Sequence, residues 1–94
     1  MNYQADTIRE SGFYSESKWI KVRDEIRERD KMTCQMCGDY MAERYIVDHK
    51  IELTWSNVDD WEIAYNPENL WLLCQACHNK KTKDPKMFAQ RLFY

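Results

Sequence analysis

In Asn69-Leu70-Trp71-Leu72-Leu73-Cys74-Gln75-Ala76-Cys77-His78-Asn79-Lys80-Lys81 a short apolar run leads directly into a Cys-x-x-Cys pair, and the second cysteine is followed at once by a histidine. Pro67-Glu68-Asn69 marks a turn before it, and Leu70 to Leu73 has the length and apolarity of a short strand. The polar residues after Cys77 read as a helix that Pro85 would end, with a last amphipathic turn over Met87 to Tyr94. Turn, strand, knuckle and helix therefore follow one another without a spacer.

A second pair, Cys34-Gln35-Met36-Cys37, precedes it by 36 residues (38–73), with Gly38 supplying the permissive backbone a tight knuckle needs. Each pair can set two thiolates on one side of a turn. Four of them at a Zn–S distance of about 2.3 Å close a structural zinc site, and the segment between must loop out and return. The same residues allow two disulfides, or ligation by three cysteines and His78. Disulfides belong to oxidising compartments, and Met1-Asn2-Tyr3-Gln4-Ala5-Asp6 begins no basic-then-apolar leader. Direct adjacency of Cys77 and His78 strains their joint use on one ion. Zinc held by Cys34, Cys37, Cys74 and Cys77 is the expected arrangement.

A staple of this kind suits a chain of 94 residues, which buries too small a share of its surface for a generous core. No stretch approaches the roughly 20 apolar residues of a membrane helix, so a soluble, cytoplasmic protein without membrane contact is expected. The 14 basic and 16 acidic residues give a net charge of −2, which weighs against nucleic-acid binding. Their distribution weighs the other way. Lys80, Lys81, Lys83, Lys86 and Arg91 crowd the C-terminal part, whereas Asp59, Asp60 and Glu62 lie in the middle.

Residues 1–14 lack periodicity and read as a flexible or loosely docked lead-in in which Phe13 and Tyr14 can pack, with one domain over 15–94. A helix is expected over 16–30, capped by Ser15 or Ser17, with Trp19, Val22 and Ile26 on its apolar face. Arg44 to Leu53 mixes β-branched and aromatic residues and reads as one or two short strands, a hairpin carrying Asp48 and His49. Thr54 to Asn66 is an acidic, aromatic connection with room for a short helix. Trp19, Trp55, Trp61 and Trp71 are expected in or over the core.

The two histidines stand at informative places, His49 after Asp48 in the strands and His78 at the start of the last helix. Pinning both knuckles to one ion draws them toward a common face. Phosphodiester hydrolysis needs a base for water, a metal for the phosphate and leaving oxygen, and fixed geometry. Asp48 and His78 can supply an oxygen and a nitrogen ligand. With an ordinary pKa near 6.5, His49 can be neutral and take a proton. Lys80, Lys81 and Lys83 flank this metal position and are candidate phosphate contacts, with Lys50 and Arg44 as further ones.

Cys34-x2-Cys37, Val47-Asp48-His49, then Asn69 through Cys74-x2-Cys77-His78-Asn79 resembles the HNH endonuclease pattern over about residues 15–83. The resemblance implies an α+β fold with a ββα-metal core, beside the four-cysteine zinc site and the N-terminal helix. It implies His49 as general base, Asn69 as the residue steadying its loop, and Asp48 with His78 on one catalytic divalent ion: Mg²⁺, Mn²⁺, Ni²⁺ or Zn²⁺. DNA is the implied substrate, cut by a monomer or weak dimer. The compact length and knuckle arrangement are similar to free-standing bacteriophage HNH proteins, which implies a bacterial host cytoplasm and terminase subunits as partners. Where many relatives have Pro-Leu after the Asp-His pair, this chain has Lys50-Ile51-Glu52-Leu53. Glu52 reads as a solvated residue or an added carboxylate near the metal.

The rival from another class is a non-catalytic zinc module that binds DNA or docks a packaging protein. Zinc deaminases need His-x-Glu and Pro-Cys-x-x-Cys, and His49-Lys50-Ile51 and Leu73-Cys74 meet neither.

Overall fold

The computed structural model describes residues 1–83. The side chain of Lys83, the helix end expected at Pro85 and the turn over Met87–Tyr94 lie outside the described residues. Two 3-10 turns, Arg9–Ser11 and Phe13–Ser15, lead into helix α1 (Ser17–Arg29). Strand β1 (Tyr45–His49), a short helix α2 (Trp61–Ala64), a 3-10 turn over Pro67–Asn69, strand β2 (Leu70–Cys74) and helix α3 (Gln75–Lys83) follow.

Helix α1 buries Trp19 and Ile26 and packs Val22 against the same core, as the apolar spacing requires. Full burial of a side chain like Ile26 is worth about 1.5–3 kcal/mol. Its N-cap is Glu16, between the two serines expected there, and no side chain bonds to the first helical amides. The chain leaves α1 through Lys31 (φ 54°) and Met32 (φ 52°), where the Met32 amide donates back to the Arg27 carbonyl at 3.2 Å. A left-handed exit of this kind satisfies carbonyls that a helix end otherwise leaves open.

The segment over 1–14 is docked. Phe13 has no exposed surface, Met1 and Ile8 pack against the same cluster, and the Asn2 amide donates to the Ser11 carbonyl at 2.7 Å. Gly12 at φ 88° joins the two 3-10 turns and aims the Phe13 ring inward.

The sheet departs from the hairpin expected within 44–53. Tyr45–His49 pairs antiparallel with Leu70–Cys74, with Tyr45 opposite Cys74, Asp48 opposite Trp71 and His49 opposite Leu70. Residues 44–53 hold none of the Asn-Gly or Asp-Gly turns that close a tight hairpin. The apolar run 70–74 provides the partner instead, and its pairing carries the second knuckle back to the first. Asn69 then captures the chain leaving β1: its carbonyl accepts from the Lys50 amide at 2.7 Å and its side-chain oxygen from the Ile51 amide at 2.9 Å.

Two apolar clusters result. The larger gathers Phe13, Trp19, Ile26, Val47, Val58, Ala64, Leu70 and Leu72; the smaller gathers Cys34, Leu73, Cys74 and Cys77. Trp19 is in the core and Trp71 half-buried, but Trp55 (38% exposed) and Trp61 (52%) stand on the surface rather than over the core. They lie in the polar connection, which has too few apolar neighbours to cover them.

Candidate active site

Both knuckles converge, as their spacing predicts. The sulfurs of Cys34, Cys37, Cys74 and Cys77 lie within 4.8 Å of one another and can hold a metal ion. Cys37 Sγ and Cys74 Sγ are 3.8 Å apart, far beyond a disulfide bond of about 2.05 Å. A tetrahedron with bonds of about 2.3 Å has edges of about 3.8 Å. The second turn of the first knuckle is made by Gly38 at φ 80°, whose amide donates to the Cys34 carbonyl at 2.8 Å. A side chain there would meet no neighbour, so the left-handed backbone alone selects glycine.

Charge in the cluster argues for a cation. Burial raises the Cys34 thiol, but backbone amides of Cys37, Cys74 and Met36 outweigh it and bring its pKa to about 6. Burial and the neighbouring sulfurs drive Cys77 up. The Cys34 thiolate therefore forms readily, whereas Cys37 and Cys77 resist until positive charge arrives.

At the other end of the ribbon, Asp48 and His49 are 8% and 6% exposed. Successive side chains leave a strand on opposite faces. Asp48 turns toward α3, where its Oδ1 lies 3.3 Å from His78 Nδ1 and its Oδ2 accepts from Lys81 Nζ and, at 3.0 Å, from Trp71 Nε1. Burial by itself would raise this carboxyl; hydrogen bonds from His78, Lys81 and Trp71 outweigh it and hold it below the ordinary range.

His49 turns toward α1 and stacks on Trp19, with ring centroids 5.1 Å apart and planes 21° apart. Its Nε2 is 3.0 Å from the Ala64 carbonyl. A carbonyl can only accept, so Nε2 carries the proton and Nδ1 keeps its lone pair. Burial lowers the His49 pKa, against the Ala64 hydrogen bond and the Asp48 charge, which raise it. The imidazole is held neutral, in one tautomer.

Asn69 ties the loop to this ring. Its side chain accepts from the Ile51 amide and donates to the Ile63 carbonyl at 2.8 Å, next to Ala64. A cleft of about 950 Å³ runs between α1 and α3 and is lined by Trp19, Asp48, His49, Glu52, His78 and Lys81, among others.

The residues expected to touch DNA are dispersed. Lys81, expected beside a phosphate, is 6% exposed and spends its ammonium on Asp48 and the His49 carbonyl. The α3 spacing turns residue 81 to the same side as residue 78. Lys80 is exposed outside the cleft, Lys50 sits 5.5 Å from the Trp71 ring centroid, and Arg44 lines a smaller adjoining hollow. Sequence reasoning missed the holding contacts of Trp71, Lys81 and the Ala64 carbonyl. Strand register would have exposed the first, because residue 71 faces residue 48.

Two antiparallel strands and a helix that bring an Asp-His pair against a second histidine, beside a four-sulfur cluster, define the ββα-metal class of protein. A family model described as HNH endonuclease matches residues 34–84, and the chain belongs to that family. It is 59% identical over 86 residues to a probable HNH endonuclease of Lactococcus phage SK1, covering 92% of each chain. It is also similar to the crystal structure of the HNH endonuclease of the deep-sea thermophilic bacteriophage GVE2 with manganese ion, at TM-score 0.62 and 32% identity over 83% of each chain. No helix among the described residues is long and apolar enough to cross a membrane.

Proposed function

We propose that this protein is a divalent-metal-dependent endonuclease that hydrolyses DNA phosphodiester bonds, with His49 as general base. The observation that carries the reading is the meeting of an Asp48–His78 pair 3.3 Å apart with a neutral, pinned imidazole on one open cleft. Two ligands on adjacent positions of an ion at about 2.1 Å stand roughly 3 Å apart, so Asp48 Oδ1 and His78 Nδ1 fit a small divalent cation. The GVE2 structure with manganese supports the same choice. Held by Asp48 and His78, such an ion would supply charge neutralisation at the phosphate and the departing oxygen.

This chain's own residues do the rest. His49 takes a proton from the attacking water on Nδ1, while the Ala64 carbonyl keeps Nε2–H engaged and the ring aimed. Lys81 and Trp71 fix Asp48 Oδ2 and leave Oδ1 turned to His78. Asn69 holds residues 51 and 63 and so the spacing between the base and its carbonyl support. In-line attack would leave 5′-phosphate and 3′-hydroxyl ends. The four-cysteine cluster holds zinc and plays no chemical part.

A single cleft cuts a single strand, so a monomer nicks and a weak dimer or a partner gives double-strand breaks. The phage origin of both relatives supports action in a bacterial host cytoplasm; packaging proteins such as terminase subunits are the partners proposed there.

Supercoiled plasmid with added Mg²⁺, Mn²⁺ or Ni²⁺ tests the reading. The parent nicks, and His49→Ala loses about 10²-fold or more in rate with its circular dichroism unchanged. A folded His49→Ala that cuts like the parent removes the base assignment; a parent inert with every metal favours the non-catalytic zinc module.

A further inference from the structure

The wall of the cleft facing the Asp48–His78 pair belongs to the N-terminal part of the chain, outside the 34–84 stretch that matches the family. It is basic. Arg23 and Arg27, four residues apart on one face of α1, line it together with Arg9 from the first 3-10 turn. Arg9 and Arg27 also line the adjoining hollow of about 480 Å³, where Arg44 joins them.

These arginines are not consumed by the fold. Arg23 is paired at 2.9 Å with the exposed Asp24, a contact worth little in water. Arg9 and Arg27 make no ion pair among the described residues. The Arg27 Nε is buried without a hydrogen-bond partner among the described residues. A buried donor left unpaired is costly, so the Arg27 side chain gains by turning toward an arriving phosphate oxygen. Contrast Arg29 on the same helix, whose guanidinium is occupied by Asp30 and by the Pro67 and Leu70 carbonyls.

We propose that Arg9, Arg23 and Arg27 form a phosphate-binding wall that grips the DNA backbone beside the cleaved bond and presses it toward Asp48, His49 and His78. β1 pairs only with β2 among the described residues, and this leaves its outer edge open to the strand between α1 and α3. The guanidinium fork suits phosphate oxygens, and a cleft with basic walls concentrates the field. A chain of net charge −2 then binds a polyanion through a local surface rather than an overall charge.

The inference rests on the nuclease reading and is tested apart from it by the salt dependence of binding to a fluorescent DNA duplex, without added divalent metal. Each neutralised phosphate contact contributes about 0.9 to the slope of log K against log salt. Arg27→Gln and Arg9→Gln each flatten the slope by about that amount and weaken binding alike on unrelated sequences. Lys21→Gln removes the same charge from an exposed position of α1 outside the cleft and leaves the slope unchanged. In plasmid nicking, Arg27→Gln raises KM and spares kcat. A parental slope in both arginine variants, or equal flattening by Lys21→Gln, overturns the wall while nicking by the parent keeps the nuclease reading. A parent that neither binds nor cuts overturns both.

Discussion

At the Tyr45–Cys74 end of the β-ribbon, the buried cluster is Cys34, Leu73, Cys74 and Cys77, with Met36, Ala42 and Trp71 at its margin. At the His49–Leu70 end, Phe13 lies 5.5 Å from the rings of both Trp19 and Tyr65, and Trp19 stacks on His49. The first end has few carbons to take from water and four sulfurs crowded within 4.8 Å, an arrangement that can hold a cation. The second needs no ion and is carried by apolar area. The cleft draws on both. His78 hangs from the helix seeded at the sulfur end, and His49 is clamped at the aromatic end.

Stripping the structural metal with a strong chelator carries the largest expected effect. Structural zinc contributes roughly 10–16 kcal/mol in small zinc domains, more than the total stability of about 5–15 kcal/mol usual for a folded domain. The helix signal in circular dichroism is lost in one cooperative step, and metal content falls with it. A stripped protein that keeps its dichroism and denaturant midpoint would show the sulfur end carried by packing, and the contrast would fail.

Phe13→Ala works at the other end. The ring is fully buried, and its removal costs about 3–5 kcal/mol, read as a lower denaturant midpoint at an unchanged one-ion metal content. Simultaneous loss of the tightly held metal under native conditions would mean that the two ends do not stand separately.

The two ends were unequally legible. Cys34, Cys37, Cys74 and Cys77 could be placed from spacing alone, because a tetrahedral ion admits few arrangements of two knuckles. Trp19, Val22 and Ile26 were legible because helical periodicity repeats. The strand pairing was not: a two-stranded ribbon whose partners are separated by residues 50–69 leaves no turn signature, and short apolar runs fix neither partner nor register. The contact of Lys81 with Asp48 was hidden for a related reason. A lysine in a basic run reads as solvated until the register sets Asp48 beneath it, and only tertiary structure does that. Phe13 had no periodic neighbours to announce its burial.

The smallest effect concerns the clasp that joins the two ends. Asp30, at the end of α1, accepts from the Leu72 amide at 2.9 Å and from Arg29 at 2.8 Å, and Arg29 in turn reaches the Pro67 and Leu70 carbonyls. Burial by itself would raise this carboxyl, but the hydrogen bonds from Arg29 and the Leu72 amide outweigh it and hold it below the ordinary value. A carboxyl lowered in the folded state contributes stability that is full above its unfolded pKa of about 3.9 and is lost as pH falls through the folded value. Asp30→Asn keeps the shape and removes the charge, at a cost of about 1–2 kcal/mol near neutrality. The gap in denaturant midpoint between parent and variant therefore stays constant above about pH 5 and closes as pH falls below about 4. Acid that releases the structural metal unfolds both proteins alike, so the narrowing is read between about pH 5 and the pH at which metal content begins to fall. A gap that is absent at neutral pH, or that persists undiminished in acid, would mean that packing of α1 on the ribbon, rather than the Asp30 carboxylate, couples the sulfur end to the aromatic one.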